Sequence, residues 1–147
     1  MITKNIIFVG AIAAILFTTT LGLHSALAAP ITFDIKKASV PGPGFTNEKI
    51  GTVSIDNTAN KTTISSDITA KAKPDKAFEA WLVDAGGSNY KLSLGKYDDK
   101  GHLQFSESMV NPYTYKQYIV TEEPLNDVDP NPADTIGGSD LPLPFGQ

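Results

Sequence analysis

Apolar and polar residues alternate with a period of two along much of the chain after residue 30. Ile31, Phe33 and Ile35 alternate with polar neighbours, and residues 90–94 repeat the pattern. Such alternation is typical of a β-strand with one buried face and one wet face. Because turn residues (Gly, Asn, Asp and Pro) separate these runs, the pattern predicts an all-β protein.

The densest apolar run, FEAWLV at residues 78–83, contains the only tryptophan and ends at the turn sequence DAGG. Residues 90–94 follow it, so the two segments are predicted to form a central hairpin. Trp81 is expected to be buried in the core. The residues expected to anchor the core are Phe78, Trp81, Leu82, Leu94, Tyr118 and Val120, and those expected in turns are Gly86, Gly87 and Gly101.

Two more hairpins are predicted. One joins residues 50–55 to 62–68 and contains a β-bulge at Gly51, where the apolar pattern changes phase. The other joins the strand ending at Gly95 to Leu103 and Phe105. The proline- and glycine-rich segment 40–45 is expected to be a loop crossing between elements.

The remaining segments complete the predicted fold. Tyr118 and Val120 share a face on which Glu122 would also fall, so their strand is expected to end or reach water near Glu122. A last short strand is expected at 135–141. The predicted fold is therefore an immunoglobulin-like antiparallel β-sandwich of about seven or eight strands, preceded by an N-terminal signal helix.

The N-terminus has the pattern of an export signal. Lys4 precedes an apolar run over residues 6–22, and Ala26-Leu27-Ala28 matches a cleavage site. The expected domains are a signal peptide at 1–28, a β-sandwich at 29–141 and a loose tail at 142–147. The protein is therefore expected to be secreted or extracytoplasmic. The alternative is an uncleaved anchor, in which residues 6–22 tether the protein to the membrane.

Composition narrows the chemistry further. There is no cysteine, which excludes disulfides, thiol catalysis and thiolate metal sites. His102 is the only histidine after residue 28, and its place after a turn glycine predicts a surface side chain. No Gly-x-Ser-x-Gly motif occurs. The sequence thus predicts no enzyme activity and no cofactor.

Charge argues against nucleic acid as a partner. All twelve basic residues are lysines, and after residue 28 eleven lysines face sixteen acids, a net charge of −5. Arginine is the preferred residue for phosphate and base contacts, and an acidic domain repels a polyanion. The expected partner is an unidentified protein or envelope ligand. Contact with a membrane is expected only through the N-terminal segment, if that segment is uncleaved.

The acidic segment 126–134 raises a calcium alternative. Asp127, Asp129 and Asn131 repeat the first spacing of a calcium-binding loop, but Pro132 and Gly138 occupy positions that need glycine and glutamate. Asp127, Asp129 and Asp134 therefore remain weak metal candidates. This segment, the Gly86-Gly87 turn and residues 111–113 are expected to share one rim, and Asn60 fits a glycosylation pattern.

One motif set resembles a known family. An aromatic-x-x-Trp-Leu-Val strand, a glycine turn, a Leu-Gly step, a second glycine turn and a Val-Thr-x-Glu-Pro strand follow in order. The sequence resembles the C-terminal domain of anti-sigma-K factors of the RskA type over about half of the chain after residue 28. The residues that carry the resemblance are Phe78, Trp81, Leu82, Val83, Gly86, Gly87, Leu94, Gly95, Gly101, Val120, Thr121, Glu123 and Pro124.

This resemblance implies an extracytoplasmic β-sandwich, and it does not extend to the cytoplasmic sigma-binding part of that family. The prediction for function is an exported, non-catalytic binding or sensing module of the cell envelope. The alternative is a cation-dependent module or hydrolase that uses the acidic loop.

Overall fold

The computed structural model describes residues 29–40, 44–58, 61–108 and 114–145. The predicted signal segment 1–28, Asn60 and residues 111–113 lie outside these ranges. The described residues form eight strands and no helix. The strands are β1 (Ile31–Ala38), β2 (Phe45–Thr58), β3 (Lys61–Ile68), β4 (Lys76–Val83), β5 (Lys91–Lys96), β6 (His102–Glu107), β7 (Tyr115–Pro124) and β8 (Thr135–Phe145).

All eight strands belong to one antiparallel sheet in the order β5-β4-β7-β8-β1-β2-β3-β6. Every strand contributes buried side chains to a single main core, from Ile35 on β1 to Leu141 on β8. The two strands at the ends of this order, β5 and β6, also contact each other. The predicted all-β antiparallel class is confirmed, whereas its division into two immunoglobulin-like layers stays a prediction.

In the described ranges there is no helix with the length and apolarity that a membrane crossing requires.

The predicted hairpins agree in part with the strand pairing. β2 pairs with β3 and β4 pairs with β5, as expected. Ile35 lies opposite Gly51 and Lys36 opposite Lys49, so Ile50 is the extra residue of a bulge and the predicted irregularity at Gly51 is confirmed. The segment 40–45, which is predicted to cross between elements, instead joins the directly paired strands β1 and β2, and its residues 41–43 lie outside the described ranges.

Strand β4 is apolar on both faces. Phe78, Ala80 and Leu82 point into the main core. Trp81 is buried, with 4% of its surface exposed, but it lies in a second cluster with Val83 and Ile119. Residues of opposite parity on a strand lie on opposite faces of the sheet, so this second cluster covers the outer face.

Phe45 completes the second cluster. It lies at the start of β2 and packs partly buried against Trp81, Val83 and Ile119. A Cβ built on Gly138 would lie 2.6 Å from the Phe45 ring and 2.4 Å from the Tyr118 carbonyl oxygen. The glycine is therefore required where the aromatic ring crosses β8.

The loops divide between two ends of the sheet. Lys76 of β4 lies opposite Pro124 of β7, and Val83 lies opposite Gln117. The Gly86-Gly87 turn therefore leaves one end, and residues 126–134 leave the other. The expectation that these two segments share one rim is wrong, because the C-terminal ends of neighbouring antiparallel strands lie at opposite ends of the sheet.

Candidate binding cleft

A cleft of about 930 Å³ opens at the end of the sheet that carries residues 126–134. It lies between the connector that joins β3 to β4, the turn that joins β5 to β6, and Leu125. Its volume falls within the range of roughly 300–1,000 Å³ usual for small-molecule sites. We call it the end cleft.

The floor of the end cleft is apolar. Phe78 and Tyr97 are buried core residues, and Ala70 and Ala72 pack against the same core. The Tyr97 main-chain N–H donates to the Phe78 carbonyl over 2.9 Å, which holds the two aromatic residues together. Leu125 adds an exposed apolar side chain at the edge, so the floor and this edge offer apolar contacts to a ligand.

A chain of hydroxyl groups supports this floor from below. The Tyr97 hydroxyl lies 2.8 Å from that of Tyr118 and 2.7 Å from that of Ser66. Ser66 in turn donates to the Thr52 carbonyl over 3.2 Å. Burial raises the pKa of Tyr97 and of Tyr118, so both phenols stay neutral. Position 66 shares its parity with Ile64 and Ile68, which is the sequence signal for a polar residue in the core.

The turn between β5 and β6 shapes one wall. The Asp98 carboxylate accepts the main-chain N–H groups of His102 (2.8 Å) and Lys100 (2.9 Å). These bonds, that of His102 first, lower the pKa of Asp98. Gly101 has a φ of +82°, and its carbonyl accepts the Ile68 N–H over 2.9 Å. The turn is thus fixed to the end of β3.

His102 stands at the mouth of the cleft. It lies directly opposite Asp67 in the ladder of β3 and β6, and its Nδ1 contacts the Asp67 carboxylate. Both side chains are about 60% exposed. The predicted surface position of His102 is confirmed, whereas its partner was missed because the two residues are far apart in sequence.

The remaining rim carries both signs of charge. Asp67, Asp98 and Asp99 provide carboxylates, and Lys71, Lys76 and Lys100 provide ammonium groups. Such charges attract complementary groups weakly when exposed. Above an apolar floor, they favour a ligand that carries both an ammonium and a carboxylate.

An ion pair fixes the connector between β3 and β4. Lys73 Nζ lies 2.5 Å from Glu122, and the Lys73 N–H also donates to this carboxylate over 2.9 Å. The side-chain bond, followed by the main-chain bond, lowers the pKa of Glu122, and the side-chain bond raises the pKa of Lys73. β7 continues past Glu122 to Pro124. β7 thus ends two residues beyond Glu122, near the predicted position, and Lys73 supplies the countercharge for the Glu122 carboxylate.

A second polar network lies on the outer face. The Trp81 indole Nε1–H donates to the Thr121 hydroxyl over 2.9 Å, and Thr121 donates to Glu123. Glu123 Oε1 also accepts the Ala133 N–H over 2.8 Å, while Oε2 is buried with no hydrogen-bond partner among the described residues. The network ties β4 and β7 to the acidic segment.

The weak metal candidates make local turns. Asp127 accepts the Asp129 N–H (2.9 Å), and Asp129 accepts the main-chain (3.0 Å) and side-chain (2.8 Å) N–H groups of Asn131. The bonds from Asn131 lower the pKa of Asp129. Asp134 contributes its main-chain carbonyl to Glu122. Within the described ranges no three His, Cys, Asp or Glu side chains lie close enough to share a metal ion.

Gly86 and Gly87 belong to the turn between β4 and β5, away from the end cleft. Asp84 is buried there and accepts the N–H and hydroxyl groups of Ser88, each over 2.8 Å. These bonds lower the pKa of Asp84. All six predicted core anchors are buried, and none of the six except Phe78 lines the end cleft.

Comparisons of the chain with models of known protein families, with curated proteins and with solved structures found no match.

Proposed function

We propose that this protein is a non-catalytic binding module that works outside the cytoplasm and recognises its ligand in the end cleft. The observation that carries the proposal is the cleft itself, with an apolar floor and a rim of opposite charges. Apolar concave sites with a few polar groups at their edges are the usual form of ligand pockets. The extracytoplasmic location rests on the export pattern of residues 1–28.

The ligand class follows from the lining. An apolar side chain would cover Phe78 and Tyr97, while an ammonium and a carboxylate would face the Asp and Lys side chains of the rim. A free dipeptide with an apolar residue has these groups. Because exposed charges contribute little, we expect a dissociation constant on the order of 0.1 mM.

The hydrogen bonding of the Thr69 hydroxyl in the end cleft favours binding over catalysis. Thr69 is the only Ser or Thr among the described lining residues, and its hydroxyl donates to the Ile50 carbonyl over 3.0 Å. A nucleophilic hydroxyl needs a general base within hydrogen-bond reach. The pair of His102 and Asp67 is instead a polar feature of the rim.

The resemblance to anti-sigma-K factors stays a prediction. It would imply a similar fold, but not a binding partner. Trp81, Thr121 and Glu123, which belong to the shared motif, are bonded to one another inside the structure. Their contacts support strand packing and leave no exposed group to recognise a sigma factor.

Calorimetric titration with leucyl-leucine tests the proposal. We expect saturable heat with the wild type and at least tenfold weaker binding when the peptide is N-acetylated and C-amidated, because both charges are then removed. Leu125→Asn should weaken binding about fivefold. Val128→Asn is the matched control, since Val128 is 97% exposed in the same loop and does not line the cleft.

Equal binding of the free and blocked peptides, or equal effects of the two variants, would contradict the end cleft as the site. A titration with calcium in the same instrument tests the alternative function. Heat and a raised melting temperature with calcium alone would favour the acidic segment over the cleft.

A further inference from the structure

A second pocket, of about 450 Å³, lies on the outer face of the sheet. It is bounded by the start of β2, the turn between β4 and β5, and the middle of β7. None of its described lining residues also lines the end cleft. We call it the outer pocket, and any ligand of it is independent of the proposed function.

The floor of the outer pocket is built from the second apolar cluster. Val83 and Ile119 are buried, and Phe45 and Ala85 are partly buried beside them. Trp81 packs in the same cluster and therefore lies next to this floor. An aliphatic chain placed here would exchange water for carbon contacts.

One charge stands at the edge of this apolar floor. Lys91 is the only charged residue among the described residues that line the pocket. As the first residue of β5 it lies opposite Val83, and it takes part in none of the ion pairs found in the described ranges. Its long flexible stem can carry the ammonium over the floor.

The neighbouring carboxylates are already bonded elsewhere. Asp84 accepts two hydrogen bonds from Ser88, and Asp140 accepts the side-chain N–H of Gln117 over 2.9 Å. Neither Asp84 nor Asp140 lines the pocket. Lys91 forms no ion pair with either carboxylate within the described ranges, so its ammonium is left to interact with an anion that enters from solvent.

We propose that the outer pocket binds an aliphatic monocarboxylate, with its carboxylate on Lys91 and its chain on Val83, Ile119 and Phe45. A linear chain of about six to eight carbons suits a pocket of this size. A single cation beside an apolar floor, with no ion-pair partner in the described part of the chain, selects a monoanion over a cation or a zwitterion.

Fluorescence titration with octanoate and octylamine tests the proposal, because Trp81 is the only tryptophan and lies beside the pocket floor. We expect octanoate to change the emission with saturation and octylamine to bind at least tenfold more weakly. Lys91→Glu should weaken octanoate at least tenfold and make octylamine the tighter ligand. Lys61→Glu, an equal charge change on β3 away from the pocket, should shift octanoate binding less than twofold.

Ala85→Leu tests the contribution of the pocket's volume to binding without changing its charge. The larger side chain should fill the space and weaken octanoate about fivefold while Lys91 stays in place; an unchanged melting temperature shows that the variant is folded. Three outcomes would overturn the proposal: equal binding of octanoate and octylamine, equal effects of Lys91→Glu and Lys61→Glu, or no saturable change in emission.

Discussion

Thr121 is the residue on which the outer-face network depends. Its single hydroxyl accepts the indole N–H of Trp81 and donates to Glu123, and the whole residue is buried. The sequence predicted a buried Trp81, but not the face on which it lies. Both parities of β4 are apolar, so the local sequence does not show which of its faces packs in the main core and which in the outer cluster.

Thr121→Val should lower the free energy of unfolding by about 3 kcal/mol, because a methyl group replaces the hydroxyl and leaves buried polar groups without a partner. Thr121→Ser keeps the hydroxyl and removes one methyl, so we expect a loss of about 1 kcal/mol. Urea denaturation followed by Trp81 fluorescence measures both. A Val variant as stable as the Ser variant would contradict the network.

Lys73 and Glu122 show how one contact holds the connector over the cleft. Bonding to Lys73 places the pKa of Glu122 in the folded protein below its ordinary value. A group with a lowered pKa stabilises the fold above its unfolded pKa, and this contribution disappears as the pH falls through the folded value. The pair therefore acts at neutral pH and fails in acid.

Lys73→Met should accordingly lower the melting temperature at pH 7, and the difference from the wild type should shrink as the pH falls below the ordinary glutamate range. Lys71→Met is the matched control, because Lys71 lies in the same connector and forms no ion pair within the described ranges. Melting curves across this pH range check the prediction. A deficit that is independent of pH, or equal in both variants, would count against the ion pair.

Among the elements, the turn between β5 and β6 sets the shape of the cleft. The sequence predicted that these strands form a hairpin, and this is wrong. β5 pairs with β4 and β6 pairs with β3, and the two strands stand at opposite ends of the sheet order. Alternation and a turn glycine predict two strands joined by a tight turn, but the pairing of each strand depends on distant segments.

Gly101 and Gly86 both have a positive φ, but only at Gly101 would an added Cβ overlap another atom. Substituting each glycine by alanine therefore distinguishes backbone strain from steric overlap. Gly101→Ala should cost about 3 kcal/mol of stability, because its Cβ would lie 2.3 Å from the Ile68 carbonyl oxygen in addition to the conformational strain. Gly86→Ala, with a φ of +79° and no atom near its Cβ, should cost only about 1 kcal/mol. Chemical denaturation measures the difference, and equal losses would contradict the close approach of the turn to β3.

At the scale of the whole molecule, the sequence predicted the strands better than the site. Strand positions follow from alternation within a few residues, which is why the β2–β3 and β4–β5 hairpins agree with the structure. The cleft depends on Asp67 meeting His102 and on Ser66 meeting Tyr97, contacts that bridge distant segments. A local pattern does not encode such registers, so the cleft cannot be recognised from the sequence.

The acidic segment 126–134 shows again that a local sequence pattern does not specify which side chains come together. Its aspartates stand out in the sequence, yet Asp127 and Asp129 accept bonds within their own turns. Spacing alone cannot distinguish ligands that converge on an ion from turn residues that satisfy nearby N–H groups. The predicted calcium site therefore stays a prediction for titration.

The most direct test of the central claim is an amide chemical-shift titration of the ¹⁵N-labelled protein with leucyl-leucine. The end cleft predicts saturable shifts in residues 67–72, 97–102 and at Leu125. The outer-pocket residues Val83, Ala85, Asn89, Lys91 and Gln117 should be unchanged. Shifts confined to the outer pocket, spread evenly over the surface, or absent at millimolar peptide would contradict the account.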